Sequence, residues 1–128
     1  MSVDALASLL ALRDKPQRLV VGLMTGTSAD GIDAALCRIG TPSADGQARV
    51  ELLDFVTADI PTDLRHRIFS LPDDLSANIC ELNFLLGSAL ADAAIAVMSK
   101  AGLAPGQVDF VGSHGQTARH QPRGQYAV

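Results

Sequence analysis

"RLVVGLMTGTSADGIDAALCRI", residues 18–39, sets an aliphatic run on each side of a polar, glycine-rich turn. Residues 22–33 alone hold three glycines, two threonines, a serine and two aspartates. Glycine and aspartate at that density disfavour a helix, while the flanks suit a pleated, half-buried surface, so the stretch reads as strand, turn, strand. The connection is too short for a crossover helix, and the strands at 18–24 and 32–39 are therefore expected to run antiparallel.

The pattern extends outward from there. "GTPSADG", residues 40–46, is turn chemistry, and residues 49–57 read as a third strand of the same meander. Residues 61–71 read as a short helix with Pro61 near its first position. Leu75, Ile79, Leu82, Leu86, Leu90, Ala93 and Val97 recur at spacings of three and four, one apolar stripe on a long helix. Ser70, Leu71, Pro72 and Asp73 are its start signal and Gly102 its stop. Gly87 lies inside it at a cost of about 1 kcal/mol relative to Ala, for which close packing or a bend is the expected return. "VDFVG", residues 108–112, reads as a further strand leading into "SHGQTARHQP", and 124–128 as the start of another. Residues 1–17 form an extension with a short amphipathic helix, since "MSVDALASLLALRDK" lacks the positive start and cleavage site of a signal peptide.

Composition bounds the function. A chain of 128 residues that is 48% hydrophobic supports one modest core. A net charge of −4 without a basic stripe argues against nucleic acid, the cluster Arg65, His66, Arg67 being too short to form a patch. Cys37 and Cys80 sit among apolar residues with no Cys or His at metal-ligand spacing, and are expected to be buried, reduced thiols. No apolar run approaches the roughly 20 residues that span a bilayer, so the expectation is a cytoplasmic protein without a membrane partner.

The turn itself has a chemical use. Its glycines let a ligand approach the main chain, successive N–H groups can form a concave anion site, and the hydroxyls of Thr25, Thr27 and Ser28 add donors. Asp30 and Asp33 would repel a bare phosphate but suit one accompanied by Mg²⁺, reached through water. The plain alternative is a Gly/Asp hairpin without a ligand. The string lacks the GK[ST] ending of a Walker A loop, and also the GxGxxG and following helix of a dinucleotide fold.

A strand–turn–strand phosphate loop resembles the first phosphate loop of the actin-like ATPase superfamily. Within it, "GLMTGTSADGID" resembles the GxMSGTSxDGxD signature of the anhydro-N-acetylmuramic acid kinases. Thr25 replaces the usual Ser and keeps a hydroxyl, and Ala29 stands where Leu is common. "VGSHGQTARHQP", residues 111–122, resembles that family's GSHGQTxRHxP motif, and "CELNFLLGSALADA", residues 80–93, is similar to its intervening helix. The resemblance covers residues 18–128.

It implies an α/β fold: the N-terminal part of an actin-like ATPase (ribonuclease H-like) lobe, with antiparallel strands plus a long helix. It implies ATP and Mg²⁺ as cofactors. The reaction implied converts 1,6-anhydro-N-acetylmuramic acid and water to N-acetylmuramic acid 6-phosphate and ADP in bacterial peptidoglycan recycling. Gly26, Thr27, Ser28, Ala29, Asp30, Gly31, Ile32 and Asp33 match the ATP-binding loop. Thr117 matches a residue near the bound sugar, and His114, Gln116 and Arg119 share its motif. Asp30 and Asp33 are the candidate metal contacts, through water. No catalytic residue is assigned: the family's aspartate base lies in a GxDxGPGN-type motif, which this chain does not contain, and Asp33, Asp54 and Asp109 do not match it. The expectation is the first third of such a kinase, inactive alone, with homodimerisation left open. The alternatives are a non-catalytic fragment that binds phosphate or a partner protein, and another sugar kinase of the superfamily.

Overall fold

A computed structural model of the chain describes residues 4–71 and 76–118. Three strands form the expected meander: β1 (Gln17–Thr25), β2 (Ile32–Gly40) and β3 (Val50–Ala58). β1 pairs antiparallel with β2 from Gln17↔Gly40 to Thr25↔Ile32, and β2 with β3 from Ile32↔Ala58 to Ile39↔Val50, with a bulge at Leu36/Cys37. β4 (Phe110–Ser113) adds to the other edge of β1 in parallel, Val20↔Phe110 through Leu23↔Ser113, giving the order β3-β2-β1-β4. The sheet is therefore mixed rather than antiparallel throughout. The chain between β1 and β4 includes two helices, long enough for the crossover that a parallel neighbour requires.

Those helices are α2 (Thr62–Ser70) and α3 (Ser76–Lys100), and α1 (Ala5–Asp14) precedes the sheet. The inward positions of β1 and β2, Val21, Leu23, Ile32, Ala34 and Leu36, pack with Leu64 and Ile68 of α2 and Leu82, Leu90, Ala93, Ala94, Val97 and Met98 of α3. Leu86 and Ala89 complete the α3 stripe, partly buried. Ile79, read as part of that stripe, is 43% exposed. Of the start signal, Ser70 instead ends α2 and Leu71 is its C-cap, while Pro72, Asp73 and Leu75, like the strand read at 124–128, lie outside the described residues. The stop is as read: Gly102 has φ +72°, its N–H donates to the Ser99 carbonyl at 3.0 Å, and the Leu103 N–H donates to the Met98 carbonyl at 2.9 Å. That pair satisfies two carbonyls the helix leaves open. Nothing lies within 4 Å of where a Gly87 Cβ would stand, so close packing is not its use here. Pro61 is the N-cap of α2 rather than its first residue.

Three other expectations change. Cys37 is half-buried and Cys80 exposed, both free, because Cys80 lies on α3 outside the covered stripe. Residues 78–100 of α3 are long and apolar enough to cross a membrane by length and composition, contrary to the absence of such a run inferred from the sequence. One face of it packs in the core through Leu82, Leu90, Ala93, Ala94, Val97 and Met98, while Phe84, Leu85 and Ile95 are exposed. α1 is capped by Asp4, whose carboxylate accepts the N–H groups of Leu6 and Ala7, but none of its residues is buried and Leu6, Leu9 and Leu10 face solvent.

Candidate functional site

The turn between β1 and β2 folds on itself through a 3.0 Å hydrogen bond from the Ala29 N–H to the Gly26 carbonyl. Ala29 is fully buried at φ +44°, a left-handed conformation that L residues adopt at a cost. A methyl group is what remains of the side chain where the family pattern commonly has Leu, and here it packs into the core. Gly31 is set by close approach instead: a Cβ there would stand 2.8 Å from the Thr57 Cγ2 of β3. Thr27 and Ser28 are exposed, and the Ser28 carbonyl accepts from Arg65 Nη2 at 3.4 Å. Asp30 lines a cavity of about 530 Å³ with Asp59 and Ile60 ahead of α2 and Thr62, Arg65, His66 and Phe69 on it. Asp33 instead accepts the Thr57 hydroxyl at 2.7 Å. The two aspartates thus have different surroundings, and among the described residues no three His, Cys, Asp or Glu side chains cluster as a metal site.

The second segment leaves the end of β4 and stays beside β1, the His114 N–H donating to the Leu23 carbonyl at 3.0 Å. Gly115, at φ +71°, then turns the chain. Its carbonyl accepts the Thr25 hydroxyl at 2.6 Å, and Thr25 is only 4% exposed. Gln116 Nε2 donates to the Gly26 carbonyl at 3.3 Å. The opposite amide orientation would face oxygen to oxygen there, so the carbonyl of Gly26 fixes it. Gln116 Oε1 is buried and accepts nothing among the described residues, an acceptor that a ligand hydroxyl or N–H would satisfy. His114 and Thr117 are exposed. Ser113, His114 and Gln116 also rim a cavity of about 480 Å³ whose far wall is Leu82, Leu86 and Leu90 of α3. Arg119 lies outside the described residues.

Residues 26–33 and 114–117 are thus brought together at the carboxyl ends of two adjacent parallel strands, where open α/β sheets hold their ligands. Three contacts were not legible in the sequence: Thr25 to Gly115, Gln116 to Gly26, and Arg65 to Ser28. Each joins residues at least 37 positions apart, and no local spacing records it. The other acidic residues weighed above have structural work. Asp109 lies at the opposite end of β4 and accepts Lys15 Nζ at 2.7 Å and the Leu19 N–H at 2.8 Å. Burial pushes its carboxyl up, but the Lys15 and Leu19 hydrogen bonds and the charges of Lys15 and Arg18 outweigh that and hold it below the ordinary range. Asp54 is held low by its Lys100 partner at 2.7 Å and by the Phe55 N–H.

Comparison with known proteins gives one family. The family described as anhydro-N-acetylmuramic acid kinase matches residues 18–128. The chain is 46% identical over 117 residues to the anhydro-N-acetylmuramic acid kinase of Caldanaerobacter subterraneus subsp. tengcongensis, covering 89% of this chain and 29% of that protein. It is 41% identical over 107 residues to the protein of the same name from Bacillus thuringiensis subsp. konkukian, covering 81% of this chain and 28% of that protein. The chain therefore spans under a third of the length of the curated relatives it matches.

Proposed function

The chain belongs to the anhydro-N-acetylmuramic acid kinase family, and we propose that residues 18–128 supply the phosphate loop and part of the sugar-binding wall of such a kinase. The reaction proposed joins ATP, 1,6-anhydro-N-acetylmuramic acid and water to give N-acetylmuramic acid 6-phosphate and ADP. The fold proposed is the N-terminal part of an actin-like ATPase lobe, preceded by the extension at 1–17, in a cytoplasmic enzyme.

The observation that supports this reading is the meeting of the two motif segments at the ends of β1 and β4, tied by the 2.6 Å Thr25–Gly115 hydrogen bond. Phosphoryl transfer is mostly positioning and charge stabilisation. The backbone and hydroxyls of Gly26, Thr27 and Ser28 offer donors to polyphosphate oxygens from an exposed turn. Mg²⁺ travelling with the phosphates would neutralise their charge, and Asp30 and Asp33 would reach it through its water rather than as a closed cage. Thr117, Gln116 and His114 offer hydrogen bonds to sugar hydroxyls, and Arg119 offers a charged fork for the lactyl carboxylate. The general base belongs to a motif outside these residues.

The test is nucleotide titration in a full-length family kinase carrying residues 18–128. A Cβ at Gly26 would already stand 3.3 Å from Ser28 Oγ, so the branched side chain of Gly26→Val crowds the turn. Loss of ATP affinity is expected. Unchanged affinity would exclude this loop as the phosphate site.

A further inference from the structure

We propose that Thr25 and Gln116 form a latch that couples the two substrates, so that a nucleotide seated on the 26–31 turn tightens binding at the 113–117 segment. The inference rests on the reading of those two segments as phosphate and sugar sites. Three features carry it. Thr25 is the last residue of β1, and its hydroxyl is almost wholly buried, so its bond to the Gly115 carbonyl does not compete with water. Gln116 reaches back from the next residue to the Gly26 carbonyl, the first residue of the turn. Gly115 between them has φ +71°, a conformation that leaves the segment's direction to these contacts rather than to regular strand pairing.

The physical consequence follows from shared ordering. Phosphate contacts that fix the turn also fix the Gly26 carbonyl, and with it the Gln116 amide. The Gln116 Oε1 is then already held as a free acceptor, and the sugar no longer bears the full cost of ordering its own wall. Such coupling is reciprocal: sugar must tighten nucleotide by the same factor. Thr25 acts here as a positioning residue, through the Gly115 carbonyl, while Gln116 ties the turn through Nε2 and meets the sugar through Oε1.

The experiment uses a full-length family kinase carrying residues 18–128. Calorimetric titration with 1,6-anhydro-N-acetylmuramic acid is run with and without saturating Mg²⁺-ADP, which binds without turnover. The ratio of the two sugar affinities is the readout. In Thr25→Val, which keeps shape and removes the donor, that ratio is expected to fall about two- to twelve-fold, the worth of one neutral hydrogen bond. Thr25→Ser, which restores the hydroxyl, is expected to return it. Gln116→Met lowers the ratio in the same direction. A wild-type ratio of one, or a Thr25→Val ratio equal to wild type, would overturn the latch. So would a Thr25→Val protein that melts lower and binds both ligands more weakly at an unchanged ratio, which is what a purely structural role predicts. Gly26→Val, titrated with ADP alongside, tests the underlying site separately. Its ADP affinity falls if the turn holds phosphate, whether or not the latch couples.

Discussion

Gly31→Ala should destabilise the protein, and Thr57→Ser should abolish or reverse that effect. The Ala Cβ would lie 2.8 Å from Thr57 Cγ2 and 3.4 Å from the Ala58 carbonyl oxygen. Carbon atoms pack at about 3.5–4.0 Å, so the methyl of Thr57 must move by roughly 1 Å. If Thr57 rotates, its 2.7 Å hydrogen bond to Asp33 breaks, at about 0.5–1.5 kcal/mol. If β3 retreats instead, overpacking costs about 1–3 kcal/mol and the Ile32↔Ala58 pairing is strained. Replacing glycine offsets about 0.4–1 kcal/mol by restricting the unfolded chain, since Gly31 is not in the left-handed region. The net expectation is a loss of about 0.5–2 kcal/mol. Thr57→Ser removes Cγ2 and keeps the hydroxyl, so in that background only the backbone gain remains and Gly31→Ala becomes neutral or stabilising. Urea unfolding of the four proteins of this double-mutant cycle measures the coupling directly. Additive effects, or a Gly31→Ala protein as stable as wild type, would refute the close approach of β3 to the turn.

Three further outcomes are expected. Thr117→Val in a full-length family kinase should raise the sugar KM about two- to twelve-fold while leaving the ATP KM unchanged, and equal effects on both would end the assignment of Thr117 to the sugar. Asp109 has a folded-state pKa below its unfolded value, so its contribution to stability is present at neutral pH and lost as pH falls below about 4. Asp109→Asn should accordingly be less stable than wild type at pH 7 in urea melts, with the gap narrowing on acidification; a gap that widens there would contradict the Lys15 and Leu19 contacts. Native alkylation followed by intact mass should modify the exposed Cys80 first and the half-buried Cys37 later, both reacting in denaturant. A disulfide in freshly purified protein would contradict two free thiols.

Local chemistry alone determined much of this molecule. Glycine density between two aliphatic runs specified the β1–turn–β2 hairpin, because the backbone there can neither continue a strand nor nucleate a helix. Spacings of three and four marked α3, and Gly102 ended it by a conformation that few other residues reach freely. The two motif strings were also readable as strings. What the sequence left open were matters of distance across the fold. Nothing in "VDFVG" states that β4 lies parallel to β1, since that pairing closes a loop of about 90 residues and depends on α2 and α3 covering one face of the sheet. Periodicity names a stripe but not how far the sheet extends beneath it, which is why Ile79 emerges into solvent while Leu82 is buried. Gly31 looked like a turn residue, yet the neighbouring β3 strand rather than the turn demands it. Thr25 read as one more hydroxyl of a phosphate loop, and only the crossover that brings Gly115 beside it makes it a buried fastener between the two segments.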